Sequence, residues 1–162
     1  MLFRTHRCGL VSKKDLDNEV QVVGWVHSRR DHGGVIFLDL RDESGLLQVV
    51  FNPENSKIFN LAENCRSEYV VKCSGVIRLR PDGTINLDIP TGELELLASS
   101  MEILNTSKTI PFQLDDHLTA GEEIRLRFRF LDLRREEMQY NLRLRAKTSS
   151  IIRNFLDNHE YI

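Results

Sequence analysis

Phe37, Gln48, Arg30, Arg78, Arg80 and Glu95 are the side chains whose types and spacing suggest chemistry. The stretch GGVIFLDLRDESGLLQVVF, residues 33 to 51, alternates with period two. Ile36, Leu38 and Leu40 fall on one face, and Phe37, Asp39 and Arg41 on the other. The first is an ordinary core face; the second is polar except for one large ring. Gln48 is the single polar side chain in the apolar run 46 to 51. Further on, Arg78 and Arg80 alternate with Ile77 and Leu79, and Glu93 and Glu95 with Leu94 and Leu96, the apolar partners inward. Arg29 and Arg30 stand where the first strand runs into its turn. An outward ring gives an unpaired base a stacking surface. Guanidiniums hold phosphates as forks. Amides and carboxylates read the Watson–Crick edges of splayed bases, and a carboxylate can accept both the N1–H and the amino group of guanine. Singly, each has a bland reading: the ring as cross-strand packing, the charges as solvated strand faces. Together on one face they favour single-stranded nucleic acid.

The elements that must position them follow from the same patterning. Strands are expected at Val20 to Ser28, Val35 to Arg41 and Leu46 to Phe51, the first two joined by the turn RRDHGG and the last two by RDESG. A helix follows in SKIFNLAENCR, with Ile58, Leu61, Ala62 and Cys65 at helical spacing and Ser56 as a possible N-cap. A fourth strand is expected from Tyr69 to about Arg80, then the turn PDGT, then a last strand within Glu93 to Leu104. Three strands, a helix and two strands is the order of an OB-fold, an all-β five-stranded Greek-key barrel with a helix between strands 3 and 4. The face that such barrels offer to oligonucleotides lies around strands 2 and 3, where Phe37 and Gln48 fall.

Beyond the barrel, NTSKTIPFQLDDHL, residues 105 to 118, loses the hydrophobic pattern and reads as a linker. Thr119 to Glu122 has capping-box spacing. IRLRFRFLDLRR could be an arginine-studded helix or a strand, and its place after the cap favours helix. A longer helix is expected from about Glu137 to His159, with Leu144, Thr148, Ile151 or Ile152, Phe155 and Leu156 along one face. Arg134 and Arg135 could touch RNA or pair with Asp132 or Glu136. The division expected is a barrel over 1–105, a linker and hinge over 106–136, and the start of a further domain over 137–162. The ending NHEYI reads as a cut.

Bulk properties narrow the classes. A chain of 162 residues that is 41% hydrophobic and 28% charged is an ordinary globular composition. A formal net charge of −2 provides no overall basic field, so nucleic-acid binding must come from a local patch. No apolar run reaches membrane-spanning length, and residues 1 to 6 lack a signal's apolar stretch. Cys8, Cys65 and Cys73 form no CxxC pair, which favours reduced thiols in the cytoplasm. His6, His27, His32, His117 and His159 lack metal-ligand spacing, so no metal site is expected.

RTHRCGLVSKKDLDNEVQVVGWVHSRRDHGGVIFLDLRDESGLLQVVF resembles the N-terminus of a bacterial-type aspartyl-tRNA synthetase of class II. PTGELELLASSMEILN is similar to that family's last barrel strand, and RLRFRFLDLRR to the hinge that joins barrel to catalytic domain. LRLRAKTSSIIRNFLDNHEYI resembles the first half of class II motif 1, a helix of the dimer interface. The resemblance implies that Phe37 stacks on an anticodon base, and that Gln48 bonds the central uracil. It implies further that Arg30, Arg78 and Arg80 contact the anticodon loop and that Glu95 reads the guanine at its first position. Ser28 stands where some relatives carry another arginine. His32 and Gly83 stand where strict aspartate enzymes tend to carry leucine and lysine. That implies a tolerant enzyme charging tRNA-Asp and tRNA-Asn, whose anticodons differ only in C against U at the third base. An imidazole can donate or accept there as its tautomer changes; the alternative is a solvated turn residue.

The parent family activates aspartate with ATP and Mg²⁺ and is homodimeric. No cofactor is expected in these residues, which lack the family's ATP-binding arginines and glycine-rich third motif, and the chain alone is expected not to aminoacylate. Two other classes stay open: a free-standing OB module for single-stranded nucleic acid, and a protein-interaction OB-fold.

Overall fold

The computed structural model describes residues 3–114 and 120–161. The chain divides into two compact units, Met1–Thr109 and Ile110–Ile162. Two short 3-10 turns, Cys8–Leu10 and Lys13–Asp15, lead into β1 (Glu19–His32), β2 (Val35–Asp42) and β3 (Gly45–Phe51). Helix α1 (Ser56–Glu63) follows, then β4 (Val70–Leu79) and β5 (Leu94–Asn105). The strands close a barrel in the order β1-β2-β3-β5-β4, antiparallel throughout except for the β3–β5 pair. This is the expected OB-fold.

Alternation does what the sequence leads one to expect. Val20, Val22, Val26, Ile36, Leu38, Leu40, Leu47, Val49, Ile77 and Leu96 fill the barrel, with Ile58 and Ala62 of α1 in the same core. Closure hides the strand edges that an open sheet would expose. Cys8, Cys65 and Cys73 are all free and buried; burial pushes the Cys65 thiol up to about 11, so it stays protonated at neutral pH.

Several boundaries differ from expectation for identifiable reasons. β1 runs through RRDH to His32, and only Gly33 and Gly34, at φ 61° and 81°, make the turn. A two-residue hairpin turn of type I′ needs positive φ at both positions, which glycine adopts without penalty. Ser56 is the first helical residue of α1 rather than its cap; Asn55 is the N-cap and makes no side-chain capping bond. Leu79 keeps its inward parity opposite Leu94 but lies past the rim of the core and is 55% exposed.

The β4–β5 connection is tied back to the barrel by Thr91, fully buried, whose hydroxyl donates to the Leu46 carbonyl. Thr91→Val keeps the shape and removes the donor. We expect it to cost about 1 kcal/mol in urea unfolding, the net worth of one such bond.

In the second unit, α2 (Glu122–Arg127) and α3 (Arg129–Asp132) bear out the helical reading of IRLRFRFLDLRR. α4 spans Glu136–Asn158. The N-cap of α2 is Gly121, and Thr119 lies outside the described residues. The expected linker is not wholly polar in behaviour. Phe112 and Leu114 are buried against Leu131, with Ile110, Ala120 and Phe128 packed around them. Three apolar residues spaced by two form too short a run to register as a pattern. Arg135 is buried and pairs with Asp132 at 3.4 Å and Glu137 at 3.2 Å, the structural alternative for that arginine, with Glu137 in place of Glu136. Leu144, Ile151, Ile152, Phe155 and Leu156 of α4 are exposed. Among the described residues no helix is long and apolar enough to cross a membrane.

Candidate nucleic-acid interface

Directly paired residues on neighbouring strands share a face. Following the pairs around the barrel gives one row: Ser28 opposite Asp39, Asp39 opposite Gln48, Gln48 opposite Glu95, and Glu95 opposite Arg78. One residue from each of the five strands therefore meets on the outer face. The next pair along is Arg30 opposite Phe37, followed by His32 opposite Val35.

The row is hydrogen-bonded from end to end. Ser28 Oγ donates to Asp39 Oδ2 (2.5 Å). Arg30 Nη2 donates to both Asp39 oxygens (2.9 and 3.0 Å) and to Gln48 Oε1 (3.0 Å). Gln48 Nε2 donates to Glu95 Oε2 (2.8 Å), and Arg78 Nε to Glu95 Oε1 (2.8 Å). The Arg30 guanidinium carbon lies 6.0 Å from the centre of the Phe37 ring, at cation–π range. Phe37 is half-buried on the outer face, and is not sunk in the core.

The expected outward residues thus come together, but they differ in depth. Alternation alone would leave Gln48 and Glu95 exposed; they are 4% and 1% accessible, forming the floor beneath Arg30 and Arg78. A carboxylate survives at that depth because both of its oxygens are bonded and one partner is cationic. Glu93 lies outside the row, just before β5, and pairs with Lys13. Arg80 follows the end of β4 and is 7% accessible, so it is no solvated strand residue. Its Nε donates to the Leu94 carbonyl (3.0 Å), while Nη2 has no partner among the described residues. Burial pulls the Arg80 pKa below its ordinary value, and the carboxylates of Asp39 and Glu95 act to hold its charge. Three guanidiniums against two carboxylates leave the row locally positive in a chain of net charge −2.

The side on which Arg30 falls depends on a β-bulge. Val26 pairs with Leu40 and Ser28 with Asp39, so His27 is an extra residue. Before it, even-numbered residues of β1 face the core; after it, Ser28, Arg30 and His32 face outward. Uninterrupted alternation from Val20 would send Arg30 inward. The bulge is held from beside it. Glu68 N–H donates to the Val26 carbonyl (2.7 Å), and Val26 N–H to the Tyr69 carbonyl (2.8 Å). Arg41 Nη2 donates to Glu68 Oε1 (2.6 Å), and its Nη1 lies 2.9 Å from His27 Nδ1. A guanidinium only donates, so His27 Nδ1 accepts. Glu68 is buried with φ 66°, a left-handed conformation unfavourable for a residue with a side chain and sustained here by those bonds.

His32 and Gly83 are both exposed. His32 closes β1 on the Arg30 side rather than sitting in the turn; Gly83 lies in the β4–β5 connection at φ 79°. Asp39 and Ser28 join the site although the sequence singles out neither as a site residue, Ser28 standing only in a missing arginine's place. The signal was present in the strict alternation Phe37, Asp39, Arg41. Among the described residues no group of three or more His, Cys, Asp or Glu could hold a metal ion.

Residues 20–104 match the family described as OB-fold nucleic acid binding domain. The chain belongs to this family. The rest of this OB-fold nucleic-acid-binding chain has likenesses of its own: residues 121–162 match class II tRNA synthetases (D, K and N). A curated relative from Legionella pneumophila (strain Corby), aspartate–tRNA(Asp/Asn) ligase, is 52% identical over 159 residues, 98% of this chain. The OB-fold chain spans 27% of that relative's length. The resemblance to aspartyl-tRNA synthetases is borne out by that identity. Solved structures agree on the fold. Asparaginyl-tRNA synthetase from Pyrococcus horikoshii, complexed with asparaginyl-adenylate, superimposes with a TM-score of 0.83 at 21% identity, covering 98% of this chain and 35% of that one. Aspartyl tRNA synthetase from Entamoeba histolytica gives 0.82 at 15% identity, covering 93% and 36%.

Proposed function

We propose that this chain is the anticodon-reading part of a ligase that attaches aspartate to tRNA-Asp and tRNA-Asn. The observation that carries the proposal is the five-strand polar row with Phe37 beside it. Each floor residue keeps hydrogen-bonding capacity after its internal bonds are counted. Gln48 has a second amide N–H and a second carbonyl lone pair, which match the O4 and N3–H of uracil. Glu95 has a lone pair left on each oxygen, which matches the paired donors of guanine. Arg30 locks Gln48 while Phe37 offers the stacking face, so the readers are oriented before RNA arrives. Arg78 and Arg80 supply charge for the loop's phosphates.

The wider roles follow from the relatives. ATP and Mg²⁺ would be held by the remainder of the enzyme, outside the 27% spanned here, and this chain alone would not aminoacylate. The barrel over 1–105 would read the anticodon, 106–136 would be the hinge, and 137–162 would begin the catalytic domain. The exposed apolar face of α4 would form part of a homodimer interface, and the enzyme would work in the cytoplasm. The test is binding of the chain to anticodon stem-loops and to oligo-dT. A preference for the stem-loops of at least tenfold supports the reading; equal affinity points instead to a general single-strand binder. Failure to bind either, with retained self-association, points to a protein-interaction barrel.

His32, on the Arg30 side, and Gly83 would set tolerance at the third base. Stem-loops ending in C and in U are then expected to bind within about threefold of one another, less than the roughly tenfold of a single discriminating hydrogen bond. Strong discrimination would assign His32 to solvent.

A further inference from the structure

We infer a second RNA-contacting site, specific for backbone phosphate, at Arg29 and Arg66 on the opposite side of β1 from the base-reading row. It rests on the anticodon reading and extends it. Arg29 pairs with Leu38, a core residue, so it leaves the strand on the inward side just beyond the barrel's end. There it meets the segment that follows α1. Arg29, Glu63, Asn64, Cys65, Arg66 and Ser67 line an open hollow of about 480 Å³, room for a phosphate with its water.

The arginines of the barrel unit divide sharply. Arg4 and Arg7 are ion-paired at Asp42 and Glu43, Arg30 with Asp39, Arg41 with Glu68 and Arg78 with Glu95; Arg80 is bonded to Leu94. Among the described residues Arg29 and Arg66 are the two arginines of this unit with no hydrogen bond or ion pair, and they line the same hollow. Both are exposed, so neither is held there by packing. Glu63, in the same lining, pairs with neither, so no carboxylate occupies their forks.

Two unoccupied guanidinium forks over a hollow match phosphate oxygens, which Arg binds bidentately. Helix α1 ends at this hollow, and its negative end disfavours a free anion. The ligand that overcomes this is one delivered by other contacts, a phosphodiester of an RNA already held by the row. Consecutive residues Arg29 and Arg30 then grip the same strand from two sides of one hairpin, Arg29 on phosphate and Arg30 toward the bases.

The test compares the wild-type chain with R29Q/R66Q and R29K/R66K in binding an anticodon stem-loop from 50 to 300 mM salt. Each phosphate contact contributes about one to the slope of log affinity against log salt. R29Q/R66Q is expected to bind about tenfold more weakly at 100 mM, with the slope flatter by about 1.5 and base preference unchanged. R29K/R66K is expected to restore most of the slope. Inorganic phosphate up to 10 mM is expected not to bind the free chain in a thermal-shift assay. An R29Q/R66Q slope equal to wild type, with or without loss of affinity, overturns the inference and leaves the anticodon reading standing. So does saturable phosphate binding by the free chain that does not compete with RNA. Loss of the anticodon reading itself shows as a wild-type chain that does not prefer the stem-loop over oligo-dT.

Discussion

Phe37→Ala is expected to weaken binding of an anticodon stem-loop by about 1–3 kcal/mol, roughly 5- to 150-fold, the worth of stacking one base on an aromatic ring. Three features put the effect in binding rather than in stability. Phe37 lies on the outer face and is absent from the barrel core. It is half-buried but outside the enclosed core, so truncation opens no cavity within the barrel. Its one described ring contact is with Arg30, which keeps its bonds to Asp39 and Gln48 when the ring is gone. Urea unfolding should therefore move little, while titration calorimetry registers the loss. Phe37→Tyr, which preserves the ring, should retain most of the affinity. If Phe37→Ala binds as wild type does, the stacking role is wrong even where the chain prefers tRNA.

Glu95→Gln should act on specificity. The glutamine fits the same space and can still accept from Arg78, but it presents an amide donor where the carboxylate presented an acceptor. A hydrogen bond to a charged group is worth about 1.5–3 kcal/mol. A stem-loop with guanine at the first anticodon position should lose roughly 10- to 150-fold, and its advantage over the adenine version should fall to within a few-fold. Stability should fall too, by about 1–3 kcal/mol, because the buried Gln48 Nε2 loses its acceptor to an amide donor while Arg78 keeps an oxygen to donate to. A competition assay with the two stem-loops decides it; an unchanged guanine preference would remove Glu95 from the reading residues.

Much of the interface was legible from period two alone. Wherever a strand runs without interruption, as β2 does from Val35 to Asp42, parity decides which side chains share a face, and Phe37 and Asp39 fell where the alternation put them. Arg78 and Glu95 follow from the same alternation, and Gln48 from being the single polar side chain in an apolar run. What alternation does not carry is depth. Whether an outward carboxylate stands in water or is enclosed by its neighbours depends on strands far apart in sequence, so the burial of Glu95 beside Gln48 and beneath Arg78 has no local signal. Nor does it carry the bulge at His27, which depends on the Glu68 and Arg41 contacts from β2 and the segment before β4. Arg29 and Arg30 read as neighbours at one turn, and only the pairing separates them onto two sides. Phe112 and Leu114 escaped for a related reason: their partners Phe128 and Leu131 lie well downstream, in other elements.

The extra residue at position 27 has a bearing on how this gene product tolerates changes in length. Ser28 would follow Val26 directly in a chain that had lost His27, and the two would still look to opposite sides, as neighbours in an unkinked strand do. That deletion is silent for every side chain downstream. Loss of any one residue from Val20 to Trp25 would instead rotate part of the strand by half a turn, and either the hydrophobic filling or the RNA grip would be sacrificed.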